Sequence, residues 1–157
     1  MVATRFAVAI HILLLLASNR AEGKATSQLL ARSVNTNPVV VRRITGQLAR
    51  AGLIRVRRGP GGAELARPPQ DISLGDVWRA MNPGCAKPLL PLHASPDQAC
   101  PVGREVHAVL RGAFVAAEEA MQQALCRTSL AGLVQGMVCE AAPPSGQPTR
   151  SSQGVAG

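Results

Sequence analysis

The chain has 157 residues, which is enough for one domain with a hydrophobic core or for one domain with an appended dimerisation helix. Lys and Arg number 17 against 9 Asp and Glu, and the resulting net charge of +8 favours a polyanionic partner. A genome biased towards arginine is the alternative explanation for the positive charge. Six arginines fall between positions 42 and 58, however, and this clustering favours a functional role for them. Aromatic residues make up only 2%, which argues against single-stranded nucleic acid bound by base stacking.

An apolar segment runs from Phe6 to Ala17. A secretory signal is the alternative interpretation, but His11 interrupts the run and no A-x-A cleavage site follows it. The segment is also shorter than the ~20 residues of a membrane span. We therefore expect a buried core helix that also meets a second surface, such as a partner subunit, with His11 as a hydrogen-bonded core or interface residue.

Two helices joined by a short polar connection are predicted next. Thr26 is a helix N-cap for the apolar positions 29–31, and residues 33–37 form the connection. Asn37 and Pro38 begin the second helix, which Gly52 ends. Its buried stripe is expected to comprise Val41, Ile44, Leu48 and Ala51. Its opposite face carries Val39, Arg42, Arg43, Gly46 and Arg50, with Gln47 on the edge.

A two-stranded hairpin is predicted after this helix. The strands are 53–57 and 63–66, and the glycine-rich tip is Arg58-Gly-Pro-Gly-Gly. Helix, turn, helix and hairpin together are a winged helix. A capping box of Ser73 and Asp76 then begins another helix. Its buried face is expected to comprise Leu74, Val77, Trp78 and Met81.

The second half of the chain is predicted to contain a linker and a long helix. Residues 82–99 hold four prolines and little periodicity, whereas residues 101–125 carry one apolar seam that favours pairing with a second copy. The seam comprises Val102, Val106, Val109, Leu110, Ala113, Phe114, Ala117, Met121 and Leu125. An ordinary intramolecular core helix is the alternative. A short helix at 129–138 and a disordered tail from Ala141 complete the chain.

The predicted fold class is therefore mainly α with a small β-hairpin. It consists of a winged helix-turn-helix DNA-binding domain at 1–81, a linker at 82–99, a dimerisation helix with a short C-terminal helix at 100–140, and a disordered tail at 141–157.

The four cysteines contain no CxxC pair, so neither a zinc site nor a disulfide framework is indicated. Cys100 directly precedes Pro101 at the predicted start of the long helix, where free N–H groups and the helix dipole favour a thiolate. We therefore consider Cys100 a candidate redox sensor. A half-buried cysteine used as a small capping residue is the alternative.

The segments NPVVVRRITGQLARAGLI, VRRGPGGAEL and ISLGDVWRAM resemble the Rrf-two (Rrf2) family of winged-helix transcription regulators, over residues 1–137. The resemblance implies a dimeric, sequence-specific DNA binder, and most members of such a family are expected to be repressors. It also implies that the wing arginine, Arg58 in this chain, reaches into the minor groove. Cluster-binding relatives carry three closely spaced cysteines where this chain has only Cys85 and Cys100. We therefore expect no iron–sulfur cluster and no other cofactor. The CPVG segment resembles relatives without a cluster.

Insertion of the second helix into the major groove is the predicted mechanism, on an operator with half-sites spaced roughly 10 bp or a multiple apart. The candidate DNA-binding residues are Ser27, Gln28, Thr36, Asn37, Pro38, Val39, Arg42, Arg43, Gly46, Gln47, Arg50, Arg58, Gly59 and Gly61. We expect a homodimer on double-stranded DNA, in the bacterial cytoplasm with the nucleoid, without a membrane partner. An enzyme is the least supported class, because no catalytic spacing appears. A winged helix used as a protein-interaction module remains the alternative.

Overall fold

The computed structural model describes residues 2–18, 25–57, 61–85 and 88–140. Its helices and strands are α1 (Val2–Ala17), α2 (Ser27–Ser33), α3 (Pro38–Arg50), β1 (Ile54–Arg57), β2 (Gly62–Leu65), α4 (Leu74–Met81), α5 (Pro101–Arg127) and α6 (Leu130–Glu140). Single 3-10 turns occupy Pro69–Asp71 and Pro83–Cys85. The predicted fold class, mainly helical with one hairpin, is confirmed. The predicted disordered tail lies outside the described residues.

Helix α1 supplies the centre of the core. Ala9, Ile12 and Leu13 are completely buried, as expected of an apolar segment that packs inside the domain. His11 is exposed in the single chain, so it is not a core residue, and the alternative of an interface residue stays a prediction. Its position on the helix places it on the side opposite Ala9 and Leu13. Within the described ranges, no helix is long and apolar enough to cross a membrane.

The predicted helix starts of α2 and α3 are both confirmed. Thr26 accepts a hydrogen bond from the N–H of Leu29, and Asn37 Oδ1 accepts one from the N–H of Val39 at 2.8 Å. The predicted stripe of α3 is buried at Val41, Ile44 and Leu48, but Ala51 is exposed because the helix already ends at Arg50. Gly52 follows with a φ of +69°, a conformation that glycine adopts without strain.

The wing is an antiparallel pair whose register places Ile54 opposite Leu65 and Arg57 opposite Gly62. Each strand starts one residue away from its predicted position. Gly62 has a φ of +71°, and a Cβ there would lie 2.8 Å from the backbone nitrogen of Ala25. Only glycine therefore allows β2 to approach the start of α2, where the N–H of Ala63 donates to the carbonyl of Ala25.

Helix α4 begins with the predicted capping box. Ser73 Oγ accepts from the N–H of Asp76 at 3.1 Å, and Asp76 Oδ2 accepts from the N–H of Ser73 at 3.0 Å. Val77 and Met81 are buried as expected. Trp78 is only half-buried, because it lies at the edge of the core with its ring edge-on to Phe6, 5.2 Å between centroids. Leu74 is half-buried as well.

Helix α5 passes over α4 and the chain then returns to the core through α6. The backbone of Cys126 lies against Gly75, where there is no space for a larger residue. Leu130, the first residue of α6, is completely buried, and its N–H donates to the carbonyl of Ile72 at 2.8 Å. The start of α6 therefore packs into the same core as the winged helix.

The linker lies along α5. The N–H of Leu90 donates to a carboxylate oxygen of Glu118 at 3.0 Å, and Nε2 of His107 donates to the carbonyl of His93 at 2.8 Å. Part of the predicted seam, including Phe114, is half-buried. Some residues of the predicted apolar seam of α5 are therefore half-buried within the single chain, whereas the others are exposed.

Candidate nucleic-acid interface

The surface of α3 that faces away from the core is basic. Arg42, Arg43 and Arg50 are exposed, and Val39 is 65% exposed beside them. These positions share one face because side chains three, four and seven residues apart line up along a helix. Among the described residues, these arginines make no salt bridge. The sequence-predicted face therefore presents positive charge that no carboxylate neutralises.

Gly46 lies in the middle of this face. Apart from the neighbouring backbone of α3 itself, a Cβ built at Gly46 would meet no described atom within 4 Å, so packing inside the chain does not require glycine there. Glycine in a helix interior costs about 1 kcal/mol relative to alanine. The fold alone thus gives no reason for this residue, whereas close approach of a partner would.

The start of α3 adds backbone donors to the same surface. Pro38 is the first residue of the helix, and the Asn37 side chain is exposed even though its Oδ1 caps the N–H of Val39. Thr36 is half-buried just before it. Free N–H groups and the helix dipole at such an end favour an anion, so this end suits a DNA phosphate.

A groove of about 300 Å³ separates α3 from the wing. Arg42 and Arg57 line it from opposite sides, with Ser27 at its end. Arg42 Nε donates to Ser27 Oγ at 3.4 Å, which ties the arginine to the start of α2. Thr45 is the one polar residue buried in the described core, and its hydroxyl donates to the carbonyls of Val41 and Arg42. This side chain forms the bottom of the groove.

Arg57 was missing from the sequence-predicted set. Its guanidinium forms a salt bridge of 3.1 Å with Glu64 across the hairpin, on a surface where both side chains are well exposed. Such exposed pairs contribute little stability, so the arginine stays available to a phosphate. Its place directly before the glycine-rich tip was the signal that could have identified it. Arg58 and Gly59 lie outside the described residues, and Gly61 is half-buried.

A second hollow lies on the other side of α2, lined by Gln28, Arg32 and the connection to α3. Gln28 and Arg32 are exposed, and the sequence-based set omitted Arg32. Gln47 differs from its neighbours, because it is only half-exposed and its Oε1 atom is buried. The side-chain amide oxygen of Gln47 therefore lies beneath the arginine-bearing face of α3 and not on it.

The described cysteines do not form a cluster site. Cys100 is exposed at the N-cap of α5, without a side-chain capping bond, and Cys126 lies near the other end of that helix. At 1.5 Å rise per residue, roughly 39 Å separates them. Within the described residues, no group of three or more His, Cys, Asp or Glu could hold a metal ion. The side chains of Cys85 and Cys139 lie outside the described part.

Known proteins are similar to this chain in sequence and in architecture. The Rrf2 family model, described as an iron-dependent transcriptional regulator, matches residues 2–136. YwnA of Bacillus subtilis (strain 168), which is named as an HTH-type transcriptional regulator, is 41% identical over 130 residues, covering 83% of this chain and 94% of YwnA.

Solved structures of similar proteins have the same fold as this chain. One whose title names a DNA binding protein is 38% identical, with a TM-score of 0.64 over 82% of this chain and 97% of that one. A transcriptional regulator from Lactobacillus plantarum is 26% identical, with a TM-score of 0.71 over 90% and 93% of the two chains.

Proposed function

Because this chain belongs to the Rrf2 family of transcriptional regulators, we propose that it binds double-stranded DNA sequence-specifically, as a homodimeric repressor on a palindromic operator. The observation that carries the proposal is the face of α3, where three exposed arginines have no acidic partner among the described residues. A net charge of +8 adds general attraction to the DNA backbone.

The two arginines near the middle of α3 take different roles in this proposal. Arg42 is held by Ser27 at the edge of the groove, and it contacts the DNA backbone there. The Arg43 side chain is exposed and makes no salt bridge among the described residues, so its guanidinium can pair bidentately with a guanine in the major groove. Val39 meets a thymine methyl, and Gly46 lets the helix approach the base edges.

A second copy of the chain covers the exposed side of α5. This helix is 27 residues long and buries none of them in the single chain, and Val102 and Val109 are each 71% exposed. With Ala113 and Ala117 they form an apolar stripe along its length. Pairing two such stripes places two α3 helices on one duplex, and their half-sites then lie about one helical turn, or a multiple of it, apart.

Oxidation of Cys100 regulates DNA binding in this proposal. Its thiol is exposed at the N-cap of α5, where an oxidant can reach it. Peroxide oxidises the thiol to a sulfenic acid and releases water. The proposal includes no iron–sulfur cluster, because cluster-binding relatives carry three closely spaced cysteines where this chain has only Cys85 and Cys100.

Fluorescence anisotropy tests the proposal on the intergenic DNA upstream of the gene and on a scrambled duplex, each at two salt concentrations. We expect a preference for the upstream duplex that survives moderate salt. Equal, salt-sensitive binding to both would contradict sequence-specific binding there, and binding to neither would favour a protein-interaction module. Peroxide should release DNA from the wild type and from Cys126→Ser, but not from Cys100→Ser.

A further inference from the structure

A hollow of about 420 Å³ lies between the linker and α5. Its walls are mainly apolar, since the linker contributes Pro88, Leu90 and Leu92, and α5 contributes Phe114 and Val115. Pockets that bind small molecules have volumes of roughly 300–1,000 Å³ and predominantly apolar walls with a few polar groups. The hollow therefore has the size and the lining of a small-molecule site.

Two hydrogen bonds hold the linker against α5 on either side of this hollow. The N–H of Leu90 donates to Glu118 at 3.0 Å, and Nε2 of His107 donates to the carbonyl of His93 at 2.8 Å. The linker therefore runs antiparallel to α5 from one contact to the other. Both apolar residues that α5 contributes fall between these contacts, so the fold itself forms the hollow, and an occupant does not have to order the linker.

The apolar walls of the hollow are incompletely covered by the chain itself. Leu90 is 42% exposed and Val115 is 50% exposed, so an apolar occupant would gain free energy by removing them from water. The proposed pairing stripe of α5 lies elsewhere on the helix. Val109 of the stripe and Arg111 of the hollow are two residues apart, which places them about 200° apart around the helix. A second copy that pairs through Val109 therefore does not cover this side of α5.

The lining also contains two charged residues, Arg111 and Glu118, and only one of them has a partner. Glu118 is half-buried, and its Oε1 already accepts from the linker. Arg111 is exposed and makes no salt bridge among the described residues. Seven positions, or roughly 10.5 Å of helix, separate the two residues. That distance exceeds the screening length of about 8 Å at physiological salt, so Glu118 does not neutralise Arg111.

The charge of the hollow specifies the polar group of an occupant. A guanidinium presents a planar fork of donors that pairs bidentately with a carboxylate. One arginine balances one negative charge, which matches a carboxylate better than a dianionic phosphate, and the nearby Glu118 disfavours the second charge. The apolar walls then require that the rest of the molecule be apolar.

We propose that this hollow binds a small apolar monocarboxylate. Arg111 pairs with the carboxylate, and the apolar body lies against Leu90, Phe114 and Val115. The site goes beyond DNA binding and does not depend on it, because none of its residues belongs to the winged-helix domain.

Isothermal titration calorimetry on the full DNA-free chain tests the proposal, with octanoate and hexanoate as titrants and hexan-1-ol as the uncharged comparison. We expect saturable binding of both carboxylates. Octanoate should bind about tenfold more tightly than hexanoate, because two further CH₂ groups are buried.

Substitution of the arginine separates its charge from the apolar walls. Arg111→Gln should weaken binding of both carboxylates by about three- to tenfold, because an exposed charge-assisted pair is lost, and should leave binding of hexan-1-ol unchanged. Arg104→Gln is the matched control, since it makes the same charge change at an exposed position about two turns earlier on the same side of α5. Carboxylate affinity should stay at the wild-type value in this control.

The apolar wall has its own test in Leu90→Ala, which should weaken octanoate and hexan-1-ol alike. Absence of saturable carboxylate binding, or equal effects of Arg111→Gln and Arg104→Gln, would overturn the proposal. Unchanged octanoate affinity in Leu90→Ala would overturn it as well, because the binding would then lie elsewhere. All three substituted side chains are exposed, and thermal unfolding checks that each variant is folded. DNA is absent from these titrations, so their failure would leave the DNA-binding proposal standing.

Discussion

Replacing Gly46 by alanine should move stability and DNA affinity in opposite directions. The new methyl group meets no described atom within 4 Å, so the helix gains about 1 kcal/mol of intrinsic propensity without a clash. For a chain of this size that raises Tm by roughly 2–4 °C. The same methyl stands between Arg43 and Arg50 on the face proposed to enter the major groove, so operator affinity should fall by about tenfold, or ~1.4 kcal/mol.

Thermal or urea unfolding measures the first effect, and anisotropy on the operator measures the second. Gly75→Ala is the matched control, because a Cβ there would lie 3.2 Å from the Cα of Cys126. That substitution should destabilise the protein by about 1–3 kcal/mol through overpacking. A Gly46→Ala protein that is more stable and binds the operator like the wild type would refute close approach of DNA at this position.

Three further predictions concern packing, pH and assembly. Leu130→Ala should lower the free energy of unfolding by about 2–5 kcal/mol in denaturant titrations, because this fully buried side chain joins α6 to the core. Asp76→Asn should cost about 1 kcal/mol at neutral pH. Because the folded pKa of Asp76 is lowered, that difference should shrink as the pH falls below 3.8. Val109→Asp should abolish the proposed pairing through α5 and sediment as a monomer in sedimentation velocity, whereas Gln122→Asp, on another side of α5, should leave the pairing intact.

Each has a result that would contradict it. Unfolding of Leu130→Ala at the wild-type denaturant midpoint would place α6 outside the cooperative core. A stability difference for Asp76→Asn that persists unchanged into acid would exclude the ionised capping box as its cause. A dimeric Val109→Asp protein would remove the exposed stripe of α5 from the interface.

The parts of the fold that depend on local chemistry were predictable from the sequence. The N-caps at Thr26, Asn37 and Ser73 were correct, because capping depends on one side chain and the backbone within three residues of it. The sequence did not show that His11 lies outside the core, because nearly every position around it is apolar and the pattern does not show which side of the helix faces out.

Features that depend on distant segments could not be predicted in this way. The linker has no periodicity, so nothing in its sequence indicated that Leu90 and His93 lie along α5. The position of Arg57 directly before the glycine-rich tip marks it as a wing residue, but its place beside the groove depends on the hairpin register, which is a property of both strands together.

The ratio of operator affinity to scrambled-duplex affinity, measured for Arg43→Gln and Arg42→Gln, tests directly whether α3 reads bases. We expect Arg43→Gln to lower this ratio by about tenfold, the value of a lost bidentate base contact. Arg42→Gln should weaken binding to both duplexes alike, because Ser27 holds Arg42 toward the DNA backbone. An Arg43→Gln protein with an unchanged ratio would contradict base reading by α3.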